Sequence, residues 1–218
     1  MTVVKVCGVT TYEDAHQAAS AGADMLGLNF YPPSPRYLLP EAAQAIVERL
    51  RAALGSRCPV LVGVFVNEPS EAVRAVVQRV GLDFAQLSGD ESPEALRDLS
   101  GLAFKAVQPA DLAQALSMSQ AYGSLGPQDE RAPSLLLDAH HPGLRGGTGA
   151  QVSAEIALAL RQAVSRLMLA GGLKPDNVAE RVRAVQPWGV DVASGVEGET
   201  PGRKDSQKVR DFVVHAKV

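Results

Sequence analysis

Residues 3–10 read Val3-Val4-Lys5-Val6-Cys7-Gly8-Val9-Thr10, an apolar run of strand length that ends at a glycine. Residues 12–21 follow with the apolar spacing of an amphipathic helix, and residues 25–30 form a second apolar run. This order is typical of a parallel β-sheet, because two parallel strands need a long crossover between them.

The same alternation continues along the whole chain. The predicted strands are residues 3–7, 25–30, 60–66, 84–87, 103–107, 135–138, 166–170 and 190–193. The predicted helices are residues 12–21, 41–54, 71–80, 93–99, 110–117, 153–163, 175–185 and 206–215. Eight units predict an α/β fold, a single (β/α)8 TIM barrel over residues 1–218, since closure removes both sheet edges. The alternative is an open doubly wound sheet, but its Gly-x-Gly-x-x-Gly motif is absent after the first strand.

The composition restricts the class of protein. The hydrophobic content of 46% against 21% charged is that of a globular protein, and the longest apolar run, residues 60–66, is too short for a membrane span. Without a secretory signal pattern, a cytoplasmic location is expected. With 21 Lys+Arg against 24 Asp+Glu, the chain lacks the positive field that nucleic acid or anionic lipid attracts. We therefore expect no nucleic acid and no membrane as partners, and a small anionic substrate held by a few local groups.

In a barrel of this type the functional groups lie at the carboxyl ends of the strands and in the loops that follow. Glycines follow the last two strands there, as Gly171, Gly172 and Gly195, with Ser194 beside them. Backbone N–H groups can approach a phosphate closely where no side chain intervenes, so these glycines predict a phosphate site. Ordinary tight turns are the alternative. Residues 146–149 are a third glycine-rich loop on this rim, which we expect to cover the bound ligand.

Cys7 is a candidate general base. The period of two along a strand places Cys7 on the inward face with Lys5 beneath it. A cationic Lys5 would favour the thiolate, which is the form able to remove a proton. The alternative is a small buried hydrophobic side chain, which is our interpretation of the other cysteine, Cys58.

Two carboxylates are expected near this cysteine. Asp138 closes an apolar strand, where it is either a cap on the next loop or a catalytic acid whose pKa burial would raise. Asp191 points inward on the eighth strand, next to the first, so we expect an ion pair with Lys5. Arg36 lies in a loop, where its guanidinium could hold a carboxylate in two parallel hydrogen bonds or be solvated at the surface.

The histidines do not predict a metal site. His16 and His215 lie on predicted helices, and only His140 and His141 lie near the rim. The strand ends therefore offer no spaced set of metal ligands, and metal-dependent chemistry is not expected.

The ordered motifs resemble a known family. Lys5-Val6-Cys7-Gly8-Val9-Thr10 resembles the Lys-Ile-Cys-Gly-Ile-Thr start of phosphoribosylanthranilate isomerases. Further stretches look like that family's signatures and occur in its order, at residues 30–37, 63–67, 86–91, 137–139, 146–149, 169–173 and 189–197. The resemblance runs from residue 4 to about residue 212.

This resemblance implies a reaction and a role for each candidate residue. The reaction is the Amadori rearrangement of N-(5-phosphoribosyl)anthranilate to 1-(2-carboxyphenylamino)-1-deoxyribulose 5-phosphate in tryptophan biosynthesis, without a cofactor. Asp138 would be the general acid that opens the sugar ring, and Cys7 the general base that takes the proton from C2. Arg36 would bind the anthranilate carboxylate. The phosphate would be held by the backbone around Gly147, Gly171, Gly172, Ser194 and Gly195.

The chain departs from the family pattern at two places. Ser88 stands where the family usually has His, and the family's Phe-Asp-Trp-like segment is absent after Gly149. We expect Ser88 to alter substrate affinity more than the chemical step. Two alternative functions stay open. One is another sugar-phosphate barrel enzyme, such as indole-glycerol phosphate synthase or a pentose-phosphate epimerase, and the other is a non-catalytic binder of phosphorylated ligands. The chain is expected to be a monomer or a homodimer.

Overall fold

The computed structural model describes residues 1–139 and 152–217. Within these ranges eight strands alternate with eight α-helices. The strands are β1 (Val3–Cys7), β2 (Met25–Asn29), β3 (Val60–Phe65), β4 (Phe84–Leu87), β5 (Ala103–Val107), β6 (Leu135–Leu137), β7 (Leu167–Leu169) and β8 (Gly189–Val192). The helices are α1 (Tyr12–Ser20), α2 (Pro40–Leu54), α3 (Ser70–Val80), α4 (Pro93–Asp98), α5 (Leu112–Tyr122), α6 (Ala154–Ala163), α7 (Val178–Val185) and α8 (Ser206–Ala216).

The strands close into a barrel in chain order. Each strand pairs in parallel with the next, and β8 pairs with β1, where Lys5 lies opposite Asp191. The helices lie outside and bury apolar faces against the outward side of the strands, as with Val73, Val77 and Val80 of α3. The predicted (β/α)8 TIM barrel is confirmed.

Two predicted helices differ from the structure by more than one residue at an end. The prediction for α5, residues 110–117, was wrong at both ends, because the Asp111 side chain accepts the N–H of Gln114 at 2.8 Å and caps a helix that runs on to Tyr122. The prediction for α7 began at residue 175, three residues too early. There the Asn177 side chain accepts the Lys174 N–H at 2.8 Å, which forms a turn before the helix begins.

The interior of the barrel is layered, and this layering positions the site. At the amino-terminal end of the strands the interior is apolar, with Met25, Phe84, Phe104 and Met168 in one cluster. Lys5, Gln86 and Asp191 form a polar layer above it, and all three are buried. The carboxyl ends of the strands lie above this layer, where the side chains can reach a ligand.

The described helices are all short. The longest, α2, has 15 residues and ends at Leu54. None of the described helices is both long enough and apolar enough to cross a bilayer.

Candidate active site

A pocket opens at the carboxyl end of the barrel and brings most of the predicted site residues together. Its walls include residues from the ends of all eight strands. Among them are Cys7, Asn29, Arg36, Gln86, Ser88, Gln108, Asp138, Gly171, Gly172, Asp191, Ser194 and Gly195. Gly147, the glycine-rich residues 146–149, and the pair His140 and His141 lie outside the described residues.

Cys7 occupies the end of β1 and faces the pocket with 8% of its surface exposed. The neighbouring strand leaves space for its sulfur, because Gly27 lies opposite Cys7 in the register of β1 and β2. A Cβ atom at Gly27 would lie only 2.6 Å from Cys7 Sγ. A glycine on β2 is therefore required for the observed position of the thiol.

Lys5 lies directly beneath Cys7 and is fully buried. Its Nζ donates hydrogen bonds to Asp191 Oδ1 at 3.0 Å and to Gln86 Oε1 at 2.9 Å. The predicted Lys5–Asp191 ion pair is confirmed. Gln86 Nε2 in turn donates to Ser88 Oγ at 3.0 Å, so a chain of hydrogen bonds connects the buried lysine with the rim of the pocket.

The environment of Cys7 favours the protonated thiol in the absence of ligand. Burial raises the pKa of Cys7, and the negative charge of Asp191 raises it further. Lys5 lowers the pKa of Cys7 as expected from the sequence, but burial outweighs it. The predicted effect of Lys5 on the thiol is therefore confirmed in direction, but in the unliganded protein burial raises the pKa of Cys7 by more than Lys5 lowers it.

Asp138 follows β6 and faces the same pocket. Its Oδ2 accepts a hydrogen bond from Gln108 Nε2 at 3.0 Å, and its Oδ1 accepts the N–H of Ala139 at 2.8 Å. Burial raises the pKa of Asp138 and outweighs these two hydrogen bonds, which favour the carboxylate. The predicted direction of this pKa shift is confirmed.

The Lys5–Asp191 pair is close enough to act on both candidate groups. The charges of Lys5 and Asp191 influence the pKa of Cys7 and also that of Asp138. Since such effects fall off with distance, the thiol and the carboxyl group both lie near this buried ion pair.

The loops after β7 and β8 form another wall of the pocket. Gly171 and Gly172 have φ angles of +85° and +62°, which favour glycine. A Cβ at Gly171 would also lie 2.7 Å from the Cβ of Ala139, so the loop packs against the segment after β6. Among the described residues, no acceptor meets the N–H groups of Gly171 and Gly172. These donors are suited to bind an anion.

Arg36 is not a solvated surface side chain, since only 13% of it is exposed. Its Nε donates to Glu197 Oε1 at 2.6 Å, and its Nη2 donates to Glu197 Oε2 at 2.8 Å. Lys204 Nζ approaches the same Oε1 at 3.1 Å. Gly8, with φ of +70°, leaves space for the Arg36 stem, because a Cβ there would collide with Arg36 Cδ.

Sequence reasoning missed four residues of the site. Gln86 points inward on a correctly predicted strand, and Gln108 directly follows β5. Both positions carry a signal in the sequence, because inward residues and residues directly after a strand form the site elsewhere in the barrel. Glu197 lies within a recognised signature but received no role. Lys204 lies in the loop before α8, and no local pattern identifies it.

The arrangement is suited to moving protons on an anionic ligand. A thiol and a carboxyl group face one pocket whose walls also include the backbone at Gly171 and Gly172 and the guanidinium of Arg36. Within residues 1–139 and 152–217, no three His, Cys, Asp or Glu side chains are grouped so that they could hold a metal ion.

Comparison with known proteins identifies the family. The family model described as N-(5'-phosphoribosyl)anthranilate (PRA) isomerase matches residues 4–215. The N-(5'-phosphoribosyl)anthranilate isomerase of Trichlorobacter lovleyi is 44% identical over 218 residues, which cover 100% of this chain and 98% of that protein. The enzyme of the same name from Myxococcus xanthus is 45% identical over 98% of this chain and 95% of its own length.

Solved structures agree with this result. The phosphoribosyl anthranilate isomerase of Thermotoga maritima superposes with a TM-score of 0.86 at 35% identity, covering 100% of this chain and 99% of that one. A phosphoribosyl anthranilate isomerase in complex with reduced 1-(o-carboxyphenylamino)-1-deoxyribulose 5-phosphate superposes with a TM-score of 0.83 at 34% identity, over 100% of this chain and 99% of the other. The chain therefore belongs to the N-(5'-phosphoribosyl)anthranilate isomerase family.

Proposed function

We propose that this chain catalyses the Amadori rearrangement of N-(5-phosphoribosyl)anthranilate in tryptophan biosynthesis. The observation that carries the proposal is the convergence of Cys7 and Asp138 on one pocket, from β1 and β6, around the Lys5–Asp191 ion pair. Lys5 and Asp191 act as supporting residues. Ring opening followed by proton removal requires an acid and a base within reach of the same sugar.

Asp138 acts as the general acid. Its raised pKa favours the protonated carboxyl group, which donates its proton to the ring oxygen as the bond between C1 and that oxygen breaks. The product of this step is a Schiff base, and Asp138 becomes a carboxylate. Gln108 Nε2 and the Ala139 N–H then stabilise the carboxylate, because both donate to its oxygens.

Cys7 acts as the general base. It removes the proton from C2 of the Schiff base, and the electrons of the broken C2–H bond form the enolamine. The enolamine then tautomerises to the ketone. The thiol must first lose its own proton, and the positive charge of the Schiff base adds to that of Lys5 in favouring the thiolate. The proton that the thiol first loses passes to solvent, and Cys7 becomes a thiol again when it takes the proton from C2. Asp138 then regains its proton from solvent, so both groups are restored and the substrate is converted to an isomer.

Binding groups for the two anionic ends of the substrate lie on the same rim. The N–H groups of Gly171 and Gly172, which meet no acceptor within residues 1–139 and 152–217, support a phosphate site there together with the backbone at Ser194 and Gly195. Gly147 is proposed as a further phosphate contact from its place in the family signature. Arg36 supplies a guanidinium for the anthranilate carboxylate.

The barrel acts as one catalytic domain over residues 1–218, in the cytoplasm, and no cofactor takes part, since both proton transfers use side chains of this chain. It acts as a monomer or a homodimer, and light scattering after size-exclusion chromatography distinguishes the two.

The experiment that tests this function uses the fluorescence of phosphoribosylanthranilate. Purified protein should abolish that emission catalytically. Cys7→Ala and Asp138→Asn should bind the substrate without turnover, whereas Cys58→Ala, which changes the other free cysteine, should turn over at the native rate. Binding without turnover by the native protein would instead support a non-catalytic binder. Rescue of a tryptophan auxotroph tests the role in the pathway.

A further inference from the structure

We propose that Glu197 and Lys204 are positioning residues that hold Arg36 in the one orientation in which its free edge meets the carboxylate of the substrate. The inference rests on the proposed function and extends it to two residues that do not touch the reacting atoms. Three observations support it: the geometry of the Arg36–Glu197 pair, the charge of the cluster, and its connection to β8.

The geometry leaves one edge of the guanidinium free for a ligand. Glu197 accepts from Nε and from Nη2 of Arg36, at 2.6 and 2.8 Å. A guanidinium has five N–H groups in a plane, so both hydrogens on Nη1 and the second hydrogen on Nη2 remain available. One hydrogen on Nη1 and the second hydrogen on Nη2 form a second fork, which lies in the same plane but faces a different direction from the first. Among the described residues no acceptor pairs with this fork, and its two parallel N–H bonds suit a carboxylate that accepts two hydrogen bonds.

The charge of the cluster explains why Lys204 is part of it. Glu197 alone would neutralise Arg36 and weaken its attraction for an anion. Lys204, whose side chain is 1% exposed, lies 3.1 Å from Glu197 Oε1. Two cations and one carboxylate leave a net positive charge in a largely buried cluster. Such a charge is costly without a partner, and the carboxylate of the substrate would complete the cluster.

The pKa of Glu197 agrees with this charge count, whereas burial opposes the charge of Lys204. Burial alone would raise the pKa of Glu197, but the hydrogen bond and charge of Arg36, with the charge of Lys204, hold it below its usual value. Glu197 is therefore a carboxylate at neutral pH. Burial lowers the pKa of Lys204, and the attraction of Glu197 offsets part of that effect.

The cluster is also fixed to the end of β8. Lys204 Nζ donates to the carbonyl oxygen of Ala193 at 3.1 Å, next to Ser194 on the proposed phosphate wall. Lys208 Nζ donates to the backbone oxygen of Glu197 at 2.8 Å. The segment after β8 therefore connects the side chains that hold Arg36 with the proposed phosphate wall.

The experiment compares two ligands that differ in one group. The first is reduced 1-(o-carboxyphenylamino)-1-deoxyribulose 5-phosphate, and the second is its phenylamino counterpart without the carboxylate. Neither needs turnover, so calorimetric titration measures each Kd directly. A charge-assisted contact should give the native protein a preference of about 10- to 100-fold for the carboxylated ligand.

Glu197→Gln and Lys204→Met should each reduce this preference to about 3-fold or less, while the Kd of the phenylamino ligand stays within about 2-fold of the native value. Arg36→Met should abolish the preference, and adding Glu197→Gln to Arg36→Met should cause no further loss. Glu197→Asp, which keeps the charge, should retain part of it. In turnover, Glu197→Gln should raise KM with little change in kcat.

Glu91→Gln is the matched control. Glu91 and Glu197 are each 7% exposed, and each pairs with a buried lysine at 3.1 Å, Lys105 in the case of Glu91. This variant should keep the native preference. Equal weakening of both ligands in Glu197→Gln and Lys204→Met would overturn the inference, because it would indicate a purely structural role. A native protein that binds neither ligand would overturn the proposed function itself.

Discussion

Gly27→Ala tests whether the position of the Cys7 thiol limits the reaction. The added Cβ would lie 2.6 Å from Cys7 Sγ and 3.1 Å from Cys7 Cα. Relaxed contacts between such atoms lie near about 3.5–4.0 Å, so the overlap with the sulfur is about 1 Å. The thiol must therefore turn to another rotamer or β1 must move away from β2.

Both responses should have a measurable cost. Overpacking of this kind costs about 1–3 kcal/mol of the free energy of unfolding. Displacing a catalytic group by about 1 Å costs about 100-fold in rate. We expect Gly27→Ala to lower kcat by about 100-fold with a much smaller change in KM, because the phosphate and carboxylate contacts lie elsewhere on the rim. The fluorescence assay gives kcat and KM, and urea unfolding gives the stability.

Gly63→Ala is the control for crowding alone. A Cβ at Gly63 would lie 2.7 Å from Phe65 Cε2 and 2.8 Å from Leu82 Cδ1, so it is nearly as crowded but meets no catalytic group. It should lose stability and retain the native kcat. If Gly27→Ala keeps kcat within about 2-fold of native, the position of the Cys7 thiol does not limit the reaction. The same conclusion holds if both variants lose activity in proportion to their lost stability.

Further predictions concern Asp138, Ser88 and Gln108. Because the pKa of Asp138 is raised in the folded state, its protonation favours the native state, and this contribution is lost as pH rises through the folded pKa. Asp138→Asn should therefore melt at a higher temperature than the native protein at pH 8, and the difference should shrink as pH falls toward 4, as calorimetry over this range would show. Ser88→His replaces the hydroxyl that accepts from Gln86 Nε2 and should change KM more than kcat, and unchanged kinetics would count against a role for this position. Gln108→Met removes a donor to Asp138 Oδ2 and should lower kcat by about 10-fold, and an unchanged kcat would show that the carboxylate needs no such donor.

The barrel and most of the rim follow from local pattern. Strand period places Lys5 and Cys7 on one inward face, and closure brings Asp191 beside Lys5, so their ion pair was predictable without coordinates. The family signatures in the sequence alone predict the candidate acid and the candidate base. Family membership and the barrel are shown, whereas the roles of these residues stay predictions.

Other features depend on packing that no local pattern encodes. Glu197 and Arg36 are separated by 161 positions in the sequence, and Lys204 lies in a loop. No local pattern therefore predicts that these three side chains form a cluster. The pKa of Cys7 depends on the balance between burial and Lys5, and the sequence indicates only the second of these. The bounds of α5 and α7 depend on side chains that cap or precede the helix, at Asp111 and Asn177.

The central claim is that Cys7 removes the proton from C2 of the substrate. Substrate deuterated at C2 tests it, with release of deuterium to water measured in a single turnover. The native protein and Cys58→Ala should release the label at equal rates, and Cys7→Ala should bind the substrate with unchanged Kd and release none. Release of deuterium by Cys7→Ala at the native rate would contradict the claim.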